Sequence, residues 1–296
     1  MAGNVSSSVV LAGLAPPLRA ALGAALDARD IRVTARDDAP DIQPWTPDGG
    51  PDALVLGPLL DQGTVACLCR RIKLSVGLNR IVVVVLRREG PSPRAAGLSV
   101  ESDHWTNPAD GAQQVADRIQ SLLAERRGRL ASGLRFEVHL VIGSEMKCLI
   151  EVGDMLRELL AAHGVDARDV QKLRFCIAEL GLNALEWGNR WRKDKTVRFG
   201  FELSGDRFAA TIADEGEGFD PSELPYAADA ANPIGHVARR RKAGIRFGGY
   251  GILVCREFLD ELRYSPKGNE VTAVKALRPA EETGSQPQGN AGEGNR

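Results

Sequence analysis

The stretch "AELGLNALEWGN", residues 178–189, decides how this chain is read. It closes a segment, 166–189, with helical spacing of its apolar residues. Asp166 is suited to cap the start of that helix and Gly188 to mark its end. Glu179 and Asn183 stand one helical turn apart and point from one face. An amide oxygen beside a carboxylate suits a site for Mg²⁺ and phosphate. The amide ligates the metal without adding charge next to the phosphates, and the carboxylate can accept a proton from an attacking hydroxyl. Solvated Glu and Asn at this spacing are also common, so the pair needs further elements around it.

Two such elements follow. In "ADEGEGFD" (213–220), Asp214 ends a strand, so its carboxylate rides on rigid backbone and can accept the exocyclic amine of adenine. Gly216 and Gly218 let the backbone approach a flat base and turn sharply. Alone, this is equally a polar turn. In "FGGYGI" (247–252), Gly248, Gly249 and Gly251 precede a helix, whose free N–H groups can receive phosphate oxygens. The chain has no G-x-x-x-x-G-K-[ST] stretch and no Rossmann glycine fingerprint after its first strand.

Around these lie "RFEVHLVI" (135–142), an alternating strand carrying His139, and a helix over 144–164 that Gly164 stops. "TVRFGFEL" and "RFAATIAD" form a hairpin about Ser204-Gly205-Asp206, and 262–277 form a last hairpin about Pro266–Asn269. In order and spacing the three stretches resemble the GHKL-type (Bergerat) ATPase fold. Within it they resemble the anti-sigma-factor serine/threonine kinases of bacterial partner switches. "AELGLNALEWGN" is similar to that family's N box, and "DEGEGFD" to its first glycine box. "GGYGILVCREFLDELRYSPKGNEVTAVK" is similar to its second glycine box and closing hairpin.

The resemblance covers about half the chain and implies an α+β two-layer sandwich over 133–277. It implies ATP with Mg²⁺ as cofactors, Asn183 as Mg²⁺ ligand, Glu179 as general base and Asp214 as adenine reader. Gly216, Gly218, Gly248, Gly249 and Gly251 would shape the pocket, and Thr272 would support the adenine site. The implied partners are an antagonist (anti-anti-sigma) protein phosphorylated on serine, a sigma factor, and a second copy of the chain. One departure is Trp187, where many relatives carry histidine; core packing is its first reading. The segment 236–247 carries Arg239, Arg240, Arg241, Lys242 and Arg246, which could clamp a γ-phosphate or form a solvated basic loop.

Residues 1–127 read as α/β. Strands are expected over 8–14, 31–35, 52–58 and 80–86, and helices over 16–30, 64–76 and 109–127. The continuous apolar strands suit a parallel sheet covered on both faces, hence a doubly wound domain. Its order looks like a response-regulator receiver domain, without the receiver's chemistry. Ala12, Gly13 and Leu14 follow the first strand, Leu56, Gly57 and Pro58 the third, Leu86 and Arg87 the fourth, and Asn107 precedes Pro108. No carboxylate is there to hold Mg²⁺ or accept phosphate. A role in dimerisation or partner docking is expected; an unrelated α/β domain is the alternative.

The composition, 43% hydrophobic and 26% charged with a formal net charge of -1, suits a soluble globular chain with no global pull toward nucleic acid or membrane. Five scattered cysteines without a Cys-x-x-Cys pair suit a reduced, cytoplasmic protein, and four distant histidines give a metal cluster little support. No signal peptide is legible, and "IVVVVL" (81–86) suits a strand rather than a membrane span. Residues 278–296, rich in Gly, Glu and Gln, read as a disordered tail. The expected function is a serine/threonine kinase acting on an antagonist protein. A non-catalytic ATP-dependent binding module and the catalytic part of a histidine kinase are the alternatives; for the latter, no helical hairpin with an exposed histidine precedes the ATP segment.

Overall fold

The computed structural model describes residues 7–46, 49–87, 97–220 and 250–277. The first half builds β1 (Ser8–Ala12), α1 (Pro16–Asp27), β2 (Arg32–Arg36), β3 (Ala53–Leu56), α2 (Gln62–Leu74) and β4 (Val82–Leu86). After β5 (Leu98–Val100) come β6 (His104–Thr106) and α3 (Ala112–Ala131). Five of these strands form a parallel sheet in the order β2-β1-β3-β4-β6. That is the strand order of a doubly wound sheet.

Successive strand residues point to opposite faces, which explains the unbroken apolar runs. Val9, Leu11, Val55, Val82 and Val84 pack with Leu22 and Leu26 of α1 and Val115 and Ile119 of α3. Val10, Leu54, Leu56, Val83 and Val85 pack on the other side with Leu68, Cys69 and Ile72 of α2. Val115, Ile119 and Leu122 form a buried stripe on α3. Between β2 and β3, and between β4 and β6, the described residues form no helix.

The second half comprises β7 (Leu134–Gly143), α4 (Met146–Ala162), α5 (Ala167–Asn183), β8 (Thr196–Ser204), β9 (Arg207–Asp214), α6 (Gly251–Phe258), β10 (Glu261–Tyr264) and β11 (Glu270–Ala276). Its sheet is antiparallel, in the order β10-β11-β9-β8-β7-β5. The helices cover one face, where Phe136, Phe199, Phe201 and Phe208 are fully buried against Leu156, Leu173 and Ile177. This is a two-layer arrangement, as read from the sequence. Gly164 (φ +71°) stops α4 and Gly205 (φ +56°) turns the β8–β9 hairpin, both in the left-handed region.

One strand crosses the sequence boundary drawn near 127–133. β5 pairs with β7, Leu98 opposite Ile142 and Val100 opposite Leu140, so a piece of the first segment lies in the second sheet. Three residues are too few for an alternation to be legible. A buried ion cluster ties the same region together. Lys73 of α2 donates to the carbonyl of Ile81 (2.7 Å) and pairs with Asp103, which also receives Arg126 of α3. Arg126 reaches Glu137 of β7 (3.4 Å), and Arg129 bridges Glu137 (2.6 Å) and Glu202 of β8 (2.8 Å).

Candidate functional site

Asp166 Oδ1 accepts from the Arg168 N–H (2.9 Å) and starts α5, which delivers Glu179 and Asn183, both half-buried, one turn apart on one face. The helix does not stop at Asn183. It widens into a π turn over Ala184–Gly188, a form that recurs at functional sites because one extra residue swings the chain out of register. Arg190 (φ 55°) and Trp191 (φ 56°) then occupy the left-handed region in succession, a strained geometry for non-glycine residues.

The residue that holds this turn is Asn189, fully buried. Its Nδ2 donates to Ser144 Oγ (3.0 Å) and to the Thr196 carbonyl (2.8 Å), and its Oδ1 accepts from the Glu215 N–H (2.9 Å). Glu215 in turn accepts from the Thr196 N–H (3.0 Å) and hydroxyl (3.2 Å). The amide group thus ties the end of the N-box helix to the loop after β9. Sequence reading passed over Asn189 because an Asn after a helical Gly reads as a loop residue.

Asp214 ends β9 opposite Val197. Its N–H donates to the Asn269 carbonyl (2.9 Å), and Asn269 Nδ2 donates to the Asp214 carbonyl (3.0 Å). Its Oδ1 accepts from the Gly216 N–H (2.7 Å). Burial raises the Asp214 carboxyl above its usual range, against the Gly216 hydrogen bond, which pulls the other way. Gly188 lies directly on this carboxylate: a Cβ there would fall well inside contact distance of Asp214 Cγ and both oxygens. A Cβ at Gly216 would meet the Gly188 carbonyl oxygen at 2.5 Å. Gly188 therefore serves as space beside Asp214, beyond its expected role as a helix stop.

Gly218 (φ +81°) and Gly268 (φ +78°) interlock. A Cβ at either would overlap the backbone carbonyl of Lys267 or Phe219, respectively, and the Phe219 N–H donates to Lys267 O (3.1 Å). The glycine loop is thereby seated on the β10–β11 turn. At the other end, a Cβ on Gly251 would overlap the Glu179 carboxylate, so α6 begins against Glu179.

Gly248, Gly249 and the arginines and lysine of 236–247 lie outside the described residues. Two expectations are corrected. Thr272 pairs with Thr211, while its neighbours Val271 and Ala273 face the helix layer with Ala210 and Ile212. By alternation Thr272 faces the opposite side of the sheet from Asp214, and Asn269 stands beside Asp214 instead. Trp187 is 44% exposed rather than packed in the core, because the π turn carries it outward.

Among the described residues no group of three or more His, Cys, Asp or Glu could hold a metal. Phosphate-bound magnesium keeps waters and takes few protein ligands, so its site need not include such a group. Gly188 and Gly216 pack directly on the Asp214 carboxylate, with no room for a Cβ at either.

The family model of the histidine kinase-like ATPase domain matches residues 144–275. No curated protein matches the sequence. Among solved structures, the RsbU and RsbW domains of Rv1364c from Mycobacterium tuberculosis are 21% identical, with a TM-score of 0.31 over 49% of this chain and 33% of that one. The SiaB–SiaC complex from Pseudomonas aeruginosa gives 16% identity and a TM-score of 0.37, over 55% of this chain and 99% of that one.

Proposed function

We propose that the chain is an ATP-binding bacterial regulatory protein, a serine/threonine kinase of the anti-sigma, partner-switching type, whose substrate is a serine of an antagonist protein. The observation that carries this is the pairing of two ends along one helix. Glu179 meets Gly251 at one end, and Gly188 meets Asp214 and Gly216 at the other. Asp214 accepts the adenine amine, oriented by the Gly216 N–H. Asn183 offers an amide oxygen to Mg²⁺. Held there, Mg²⁺ would supply charge neutralisation for the phosphates. Glu179 takes the proton of the attacking serine hydroxyl, so transfer runs in line from ATP to the protein substrate.

The first half is read as a receiver-like adaptor without phosphoacceptor chemistry, for pairing two copies or docking a partner. Its strand order supports this. So does its closed switch point: Gly57 packs on the Gly13 backbone, and Leu60 and Leu14 fill the space between the two loops. A sigma factor and a second copy of the chain are further partners of this reading, and the cytoplasm its compartment. No helix among the described residues is long and apolar enough to cross a membrane.

Incubation with radiolabelled ATP and the antagonist protein encoded nearest the gene tests the reading. Acid-stable phosphoserine on the antagonist is expected. Acid-labile phosphate would point to a histidine kinase, and tight binding without transfer to an ATP-gated binding module. Asn183→Ala should abolish Mg²⁺-dependent ATP binding in calorimetry; an unchanged affinity sinks the site assignment.

A further inference from the structure

We propose that Cys176 and Cys255 form a reversible disulfide on exposure to peroxide, and that this bond weakens nucleotide binding at the adjoining site. Cys176 lies on α5 one turn before Glu179, and Cys255 on α6 one turn after Gly251. The two helices pack so that Gly251 meets Glu179. One turn further along, Cys255 Sγ sits 3.9 Å from the carbonyl oxygen of Cys176. Cys255 thus packs directly on Cys176 across the two helices. Both are buried in the core shared by the helices. A lone buried cysteine packs as a small hydrophobe. Two thiols facing each other across a helix pair are also a dithiol, and Cys67, Cys69 and Cys148 lie on other helices.

The neighbouring Cys255 thiol lowers the pKa of the Cys176 thiol, while the Cys176 neighbour and burial raise that of the Cys255 thiol, whose S–H donates to the Cys176 carbonyl. Cys176 sulfur therefore attacks one oxygen of hydrogen peroxide. The O–O bond breaks, hydroxide leaves and takes up a proton as water, and Cys176 becomes a sulfenic acid. Cys255 sulfur then attacks Cys176 sulfur. The S–S bond forms, the S–O bond breaks, and the departing hydroxide leaves as water with the Cys255 proton. Two electrons pass from the thiols to the peroxide. Access comes through α6, a helix of eight residues whose Val254, Arg256 and Glu257 are exposed. A helix of two turns has little stability of its own, so local opening admits a small oxidant.

A disulfide holds its two Cβ atoms about 3.8 Å apart. Drawing α6 onto α5 leaves Gly251 no room, since it already abuts the Glu179 carboxylate, and Glu179 must shift. This consequence rests on the proposed ATP site; the disulfide itself does not.

Full-length protein is treated with hydrogen peroxide, alkylated, digested and mapped by mass spectrometry, with ATP affinity of both forms measured by calorimetry. The expected result is a peptide pair joined through Cys176 and Cys255, reversed by dithiothreitol, and an ATP affinity weakened about fivefold or more. Cys176→Ala and Cys255→Ala, separately, should keep the reduced affinity and lose the response. Modification confined to Cys67, or a mapped disulfide with unchanged affinity, overturns the proposal. If neither form binds ATP, the nucleotide reading fails, and the peptide map still decides the disulfide.

Discussion

Asp214 combines a rigid strand end with a carboxyl that burial disfavours when charged. Its folded pKa lies above the ordinary 3.8, so the ionised form costs stability at neutral pH and that cost fades as pH falls through the folded value. Asp214→Asn should therefore leave the thermal midpoint unchanged or slightly raised. It should weaken ATP binding about tenfold to a hundredfold, as expected for a lost hydrogen bond to a charged group. Calorimetry and a melting curve on the same preparation check both halves. The readings of Asp214, Glu179 and Asn183 each rest on a spacing within one element. Gly188 was legible only as a stop, since what requires glycine there is the carboxylate of a residue twenty-six positions on. Thr272 was misplaced because one step along a strand exchanges the two faces of the sheet.

At the scale of elements, the helices, strands and hairpins follow from periodicity and turn residues, and the caps at Asp166 and Gly164 fall where expected. The π turn does not follow, because one added residue in a helix leaves too small a mark on the apolar pattern. It turns Trp187 to solvent and places Asn189 in the interior. Asn189→Ala would leave Ser144, Thr196 and Glu215 without their partners in a buried setting. A loss of about 3 kcal/mol is expected in urea unfolding. A loss under half a kcal/mol, by the same principle, would mean the turn is held by packing alone.

At the scale of the whole molecule, the two sheets are joined by β5 and by the ion cluster around Asp103. Asp103→Ala would leave Lys73 and Arg126 buried without their shared counter-charge, at a cost of about 3–5 kcal/mol. Loss of the β5 pairing would also bare the edge of β7 to association. Chemical denaturation with light scattering reads both. Burial alone would raise the Glu137 carboxyl, but hydrogen bonds from His139 and Arg129 and the nearby arginine charges hold it down at about 2. Its folded pKa is depressed below the ordinary 4.5, so its contribution is complete above that value and is lost as pH falls toward 2. Glu137→Gln should flatten stability against pH across that window, measured by urea midpoints.

The sequence by itself determined the two classes of sheet, the helices between them, and the three stretches that resemble the boxes of a histidine kinase-like ATPase domain. These rest on local periodicity and on glycines and carboxylates at short spacing. Only the tertiary structure decided that β5 leaves the first sheet for the second, that Asn189 rather than a surface residue anchors the site, and that Asn269 stands beside Asp214. Only it showed that two cysteines, seventy-nine positions apart, face each other. Each of these depends on which residues meet across the chain, and such meetings are set by packing and hydrogen bonding between elements that no single stretch of sequence contains.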